Sequence, residues 1–157
     1  PLNLVSSAVS QLYYKDASAA IGQAENQYLI FKRSLRLTLF IIAPVILLVM
    51  LAGPWLFETY LGNNWKESGI IARIMAPAIF FNFLASVVST TPLVFNSQKK
   101  AFLLNLMGYA LSLGVLFIGS ILKFPFHETL IAYSFVLSVY YLGILFWYKQ
   151  LIRNSLA

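Results

Sequence analysis

Residues 53–77 read Gly-Pro-Trp-Leu-Phe-Glu-Thr-Tyr-Leu-Gly-Asn-Asn-Trp-Lys-Glu-Ser-Gly-Ile-Ile-Ala-Arg-Ile-Met-Ala-Pro. Two long apolar runs converge on this stretch, one ending at Phe57 and one beginning near Ile70. The residues between them hold Glu58, Lys66 and Glu67 with the turn formers Gly62, Asn63, Asn64 and Gly69. A polar hairpin between two membrane-length runs is a chain reversing direction at a membrane surface.

Composition supports the membrane. Of 157 residues, 60% are hydrophobic and 10% charged, with mean hydropathy +0.79. A water-soluble domain carries roughly 25% charged residues, so this chain has too little polar material to coat a globule. There is no cysteine, which removes disulfide and thiol chemistry. The net charge of +6 reads as juxtamembrane basic residues and not as a nucleic-acid footprint. The chain opens on Pro1 with no charged leader ahead of its first apolar run, and the expectation is a piece of something longer.

Working outward from the hairpin, four runs reach membrane length: Leu37–Phe57, Ile70–Phe95, Ala101–Leu122 and Thr129–Tyr148. Pro44, Pro77 and Pro92 lie inside the first two, as membrane helices tolerate where neighbours re-satisfy the freed carbonyls. No run alternates as a barrel wall requires. The expected fold is an all-α membrane protein with four transmembrane helices in residues 37–157. Residues 1–14 are too short to cross alone; they read as the end of a truncated transmembrane helix, with a short interfacial piece as the alternative. Residues 15–36 read as an amphipathic connector, with Ile21, Ala24, Tyr28, Phe31 and Leu35 on one face.

Basic residues set the orientation. Segments 15–36, 97–100 and 149–157 share one side and hold Lys15, Lys32, Arg33, Arg36, Lys99, Lys100, Lys149 and Arg153. Only Lys66, Arg73 and Lys123 lie on the other, so the first side is expected to be cytoplasmic and the hairpin to face out. Trp55, Tyr60 and Trp65 outside, and Trp147 and Tyr148 inside, are expected in interfacial belts.

Polar residues within spans mark candidate sites. At 100° per residue, Asn105, Gly108, Tyr109, Ser112, Leu116 and Gly119 share one sector of the third run. Ala78, Asn82, Ser86 and Ser89 share a face of the second, and Ser134, Ser138 and Tyr141 form a weaker stripe in the fourth. Such faces must turn toward one another or toward a water-filled cavity. For the glycines and serines close packing is the plainer reading; for Asn82 and Asn105 packing and cavity lining stand equal. Arg73, one turn before Pro77, either snorkels to the outer surface or faces an anionic group such as a phosphate. His127 stands beside Glu128, but an HExxH motif fails at Ile131, and no nucleophile set, metal-ligand cluster or carboxylate pair lies within a span. The expectation is a protein that is not an enzyme and needs no cofactor or metal.

The order Leu61-Gly62-Asn63-Asn64-Trp65-Lys66-Glu67-Ser68-Gly69, then Arg73-Ile74-Met75-Ala76-Pro77, resembles the polysaccharide biosynthesis flippases. These translocate lipid-linked O-antigen and capsule repeat units, within the multidrug/oligosaccharidyl-lipid/polysaccharide exporter superfamily. Pro1–Lys15, Arg36–Pro44 and Phe83–Lys100 resemble further segments in the same order. Leu61 replaces the family's usual aromatic, and Val87 stands where members often have proline, which moves any kink toward Pro92.

The resemblance implies a C-terminal portion of an alternating-access transporter with two six-helix lobes in the bacterial cytoplasmic membrane, the four helices forming part of one six-helix lobe. Its partners would be membrane lipids, a lipid-pyrophosphate-linked glycan and a missing N-terminal lobe, with no nucleic acid. Arg73, Asn82, Asn105, Tyr109 and Ser112 are the substrate-cavity candidates. The rival readings are a drug or metabolite exporter of the same superfamily, a membrane enzyme of glycan assembly, and a structural membrane subunit. In a self-contained bundle Asn82 and Asn105 should both be buried; exposure to an open groove implies a partner domain.

Overall fold

The computed structural model describes residues 2–154; Pro1 and residues 155–157, the outermost parts of the expected first and last segments, lie outside them. Among the described residues the chain is 90% helical with no strand. Six helices follow in order: α1 (Leu2–Ala19), α2 (Ala24–Leu61), α3 (Lys66–Val87), α4 (Thr91–Val94), α5 (Gln98–Ile121) and α6 (Phe126–Asn154). Four segments are long and apolar enough to cross a membrane: Glu25–Leu61, Asn63–Val94, Gln98–Ile121 and Phe126–Asn154. This is an all-α, multi-pass membrane protein.

The connector region holds two helical pieces. α1 continues through Lys15 and Asp16, and a turn at residues 20–23, with Gly22 at φ 86°, reverses the chain. α2 then begins at Ala24 and runs without a break into the first span. At 1.5 Å per residue its 38 residues reach about 57 Å, nearly twice a hydrocarbon core of about 30 Å. Its buried positions are Gln27, Phe31, Thr38, Ile42, Ile46 and Gly53, with Leu35 and Val49 partly buried, a three-and-four spacing that draws one stripe along the helix. Gln27 Nε2 donates to the Ala17 carbonyl at 3.2 Å and ties the start of α2 to the end of α1.

The hairpin between α2 and α3 is closed by backbone contact. Gly62, at φ 99°, ends α2 with its N–H on the Glu58 carbonyl, and residues 63–65 form a single 3₁₀ turn. Lys66 Nζ pairs with Glu58 Oε2 at 3.2 Å. Further in, Gly69 lies so close to α2 that a Cβ there would sit 2.6 Å from Pro54 Cα and 2.7 Å from the Gly53 carbonyl oxygen. Such glycines let two membrane helices pack backbone against backbone.

The second span breaks before Pro92. α3 ends at Val87 and α4 begins at Thr91, so the residue that cannot donate sits in the first turn of a new helix. The Val88 carbonyl, which a continuous helix would bond to residue 92, instead accepts the Thr91 N–H at 3.0 Å and the Thr91 hydroxyl at 2.7 Å. This re-satisfaction is what lets a proline break sit inside a membrane.

The larger core lies at the basic end, where α1, α2, α3 and α6 meet through Tyr13, Phe31, Val87, Val88, Ile144 and Ile152. Trp147 and Tyr148 belong to it, at 9% and 6% exposure. The interfacial belt expected of them is therefore corrected: both rings are buried in one cluster with Tyr13 of α1, Phe31 of α2 and Val87 of α3. Lys100 Nζ lies 5.5 Å from the Trp147 ring centroid, a cation–π contact joining α5 to α6. At the hairpin end Trp55, Tyr60 and Trp65 are exposed, as a belt requires. A smaller core of Ile42, Ile46, Ala76, Phe83 and Leu84 fills the α2–α3 interface.

Candidate functional site

α6 is the central helix of the site. It packs against α3 on one side and α5 on the other, while α3 and α5 do not touch. The polar faces of the second, third and fourth runs therefore do not converge on one point, contrary to the simplest expectation from their spacing. The α5 face and the α6 stripe divide between two grooves that share no lining residue, and the face of the second run, Ala78, Asn82, Ser86 and Ser89, lines neither.

The first groove lies between α5 and α6. Its volume is about 430 Å³, and Asn105, Tyr109, Ser112, Tyr133, Tyr140 and Tyr141 line it. Gly108 permits the close approach. A Cβ there would fall 2.7 Å from Tyr140 Oη, so the ring lies directly on the glycine. From that position the Tyr140 hydroxyl shares its proton between the Leu104 carbonyl at 3.1 Å and Asn105 Oδ1 at 3.2 Å. Asn105 is thus oriented, with its amide nitrogen left to donate. Ser112 Oγ donates to the Gly108 carbonyl at 2.8 Å, which leaves its oxygen as an acceptor. Tyr109 and Asn105 are exposed, and Ser112 is half-buried. The groove can offer a bound molecule hydroxyls, one amide and aromatic faces, with no charge.

The second groove lies between α3 and α6, with a volume of about 500 Å³. Arg73 is in this one. The rest of the lining is apolar apart from Ser134 and Ser138, through Ile74, Pro77, Phe81, Ile131, Phe135, Val139 and Leu142. Ser138 Oγ donates to the Ser134 carbonyl at 2.7 Å, so its proton is spent within its own helix. Arg73 is exposed, and its Nη2 donates to the Leu51 carbonyl of α2 at 3.1 Å.

Asn82 lines neither groove and is exposed on α3. Ser86 Oγ donates to the Phe83 carbonyl at 2.8 Å, and Ser89 is exposed at the break after α3. The weaker stripe of α6 splits: Tyr141 turns to the α5 groove, Ser134 and Ser138 to the α3 groove. Of the candidates, Asn105, Tyr109 and Ser112 come together, while Arg73 and Asn82 stand apart. Tyr133 and Tyr140 also line the α5–α6 groove and are not among the candidates expected from the sequence. Their signal was present, because residues 133, 137, 140 and 141 follow the three-and-four spacing of one helix face.

His127 Nε2 lies 2.7 Å from Glu67 Oε1, bridging the starts of α6 and α3 at the hairpin end. Among the described residues no group of three or more His, Cys, Asp or Glu is placed to hold a metal ion. No protein-family model matches the chain, and no curated protein or solved structure is detectably similar to it.

Proposed function

We propose that this chain forms part of a transporter that carries a lipid-linked glycan across the bilayer, with the α5–α6 groove as part of the wall that meets the polar head. The observation that carries the reading is the exposure of Asn105 and Tyr109 in a groove whose α5 side no other spanning helix covers. An amide deep in a span is unfavourable against lipid, where polar groups need partners or water. A second membrane domain facing α5 would enclose the groove and keep it hydrated. Tyrosine hydroxyls, one amide and aromatic rings suit a neutral, hydroxyl-rich ligand such as a sugar, held by hydrogen bonds and ring contacts and not by charge.

Transport of this kind needs no bond to break in the cargo. The wall must bind the head on one side, exclude it from hydrocarbon, and release it when helices rock to open the other side. The resemblance at Gly62, Trp65, Gly69 and Pro77 supports the same assignment. A structural subunit closed on itself is disfavoured by the exposure of both Asn82 and Asn105. A cation- or proton-coupled exporter is disfavoured by the acids of this chain, Asp16, Glu25, Glu58, Glu67 and Glu128, all of which lie at helix ends or connections.

This chain contributes no cysteine, so Ser112→Cys in a full-length protein with any cysteines elsewhere replaced by serine tests the groove. Water-soluble maleimide should label it in native membranes, and a lipid-linked glycan should slow that labelling. Labelling that is absent, or indifferent to the glycan, contradicts the assignment.

A further inference from the structure

The α3–α6 groove differs in kind from its neighbour. It is apolar apart from Ser134 and Ser138, carries one cation at one end, and has no acidic residue in its lining. We propose that it is a binding site for a membrane phospholipid with an anionic headgroup, taken from the leaflet on the hairpin side. The phosphate sits at Arg73 and one hydrocarbon chain lies along Pro77, Phe81, Phe135 and Leu142.

Depth agrees with that occupant. From Arg73 to the end of α3 at Val87 is about 21 Å, and the break and α4 carry the span on to Val94, so a core of about 30 Å counted from the basic end reaches close to the level of Arg73 on the hairpin side. From there the groove follows α3 to Phe81 and α6 from Ile131 to Leu142. Those segments are about 12 Å and about 17 Å long, or close to half of a core of about 30 Å. A cation at the boundary with an apolar channel one leaflet deep matches the shape of a single lipid.

The cation is held in place for this. Its Nη2 is tethered to the Leu51 carbonyl, which fixes the guanidinium beside the α2–α3 contact and leaves its other N–H groups to donate. Phosphate oxygens are natural acceptors for that planar fork. The site does not rest on the transport reading: it holds an ordinary phospholipid whether or not the α5–α6 groove meets a glycan.

The test uses the full-length protein in vesicles of phosphatidylcholine with a minor fraction of chain-brominated lipid, which quenches tryptophan on contact. Phe135→Trp places a reporter in the groove, and Phe117→Trp places one on the exposed surface of α5. Quenching is read as the increment over the parent protein. Brominated phosphatidylglycerol should occupy the Phe135→Trp site with about fivefold preference over brominated phosphatidylcholine, the scale one basic residue contributes with anionic lipid. Phe117→Trp should show no preference. Adding Arg73→Gln should abolish the preference at Phe135→Trp, and Arg73→Lys should retain most of it. Equal quenching by the two lipids at Phe135→Trp overturns the proposal, as does a preference that survives Arg73→Gln.

Discussion

The Tyr13 hydroxyl and Thr91 Oγ1 lie 2.8 Å apart, joining residues 78 positions apart in the chain, and both side chains are buried. Thr91 gives its own proton to the Val88 carbonyl, so Tyr13 is the donor in this pair. The bond therefore links α1 to the carbonyl that the break before Pro92 leaves open. Tyr13→Phe should cost about 1 kcal/mol, the net worth of an ordinary hydrogen bond. Thr91→Val should cost more, since it leaves the tyrosine hydroxyl and the carbonyl without that partner. A double-mutant cycle by denaturant titration in detergent should give a coupling of about 0.6 kcal/mol, the average for such pairs in membranes. Zero coupling would mean that the two residues act separately.

The Gly53–Gly69 contact predicts a strong asymmetry in the hairpin. Gly69→Ala puts a methyl against the backbone at Pro54 and Gly53, which no side-chain movement relieves. The helices must separate, at a cost of about 1–3 kcal/mol as in other overpacked interiors. Gly62→Ala, with open space around it but φ 99°, should be strained through its backbone alone. Thermal unfolding in detergent should rank Gly69→Ala below both Gly62→Ala and the parent.

A similar comparison separates two glycines of α5. Gly108→Ala must displace Tyr140 and with it the bonds to Leu104 and Asn105. Gly114→Ala meets nothing within 4 Å and should be neutral, or stabilising by up to about 1 kcal/mol through helix propensity. Tyr140→Phe keeps the ring on Gly108 but releases Asn105. If the hydroxyl orients the amide, Tyr140→Phe should lower glycan transport while leaving the melting temperature within a few degrees of the parent.

How much of this was legible in the sequence depends on what each feature requires. The spans were, because crossing a bilayer is a matter of length and composition within one helix. So was the α5 polar face, because Gly108 and Asn105 are three residues apart on that helix. Neighbour relations were not. That α6 stands between α3 and α5 depends on which faces meet, and no single helix encodes it. Trp147 shows the same limit, since an aromatic cluster at the end of a span serves equally as a belt or as core. Only its burial in the cluster that joins α1, α2, α3 and α6, with Lys100 of α5 against its ring, decides for core. Arg73 was legible as the unusual cation of its span, but its separation from Asn105 was not.

The central claim is that the polar groove helps to move a glycan head through the membrane. The most direct measurement is translocation of a fluorescent lipid-linked oligosaccharide by the full-length protein reconstituted in vesicles, with inward and outward pools distinguished by an impermeant quencher. The parent should equilibrate the lipid between leaflets. Asn105→Leu combined with Ser112→Ala, which removes two polar partners from the groove, should slow it by about tenfold or more, at roughly 1 kcal/mol for each hydrogen bond lost. Translocation by that variant at the parent rate, with the protein folded and correctly inserted, would contradict the account.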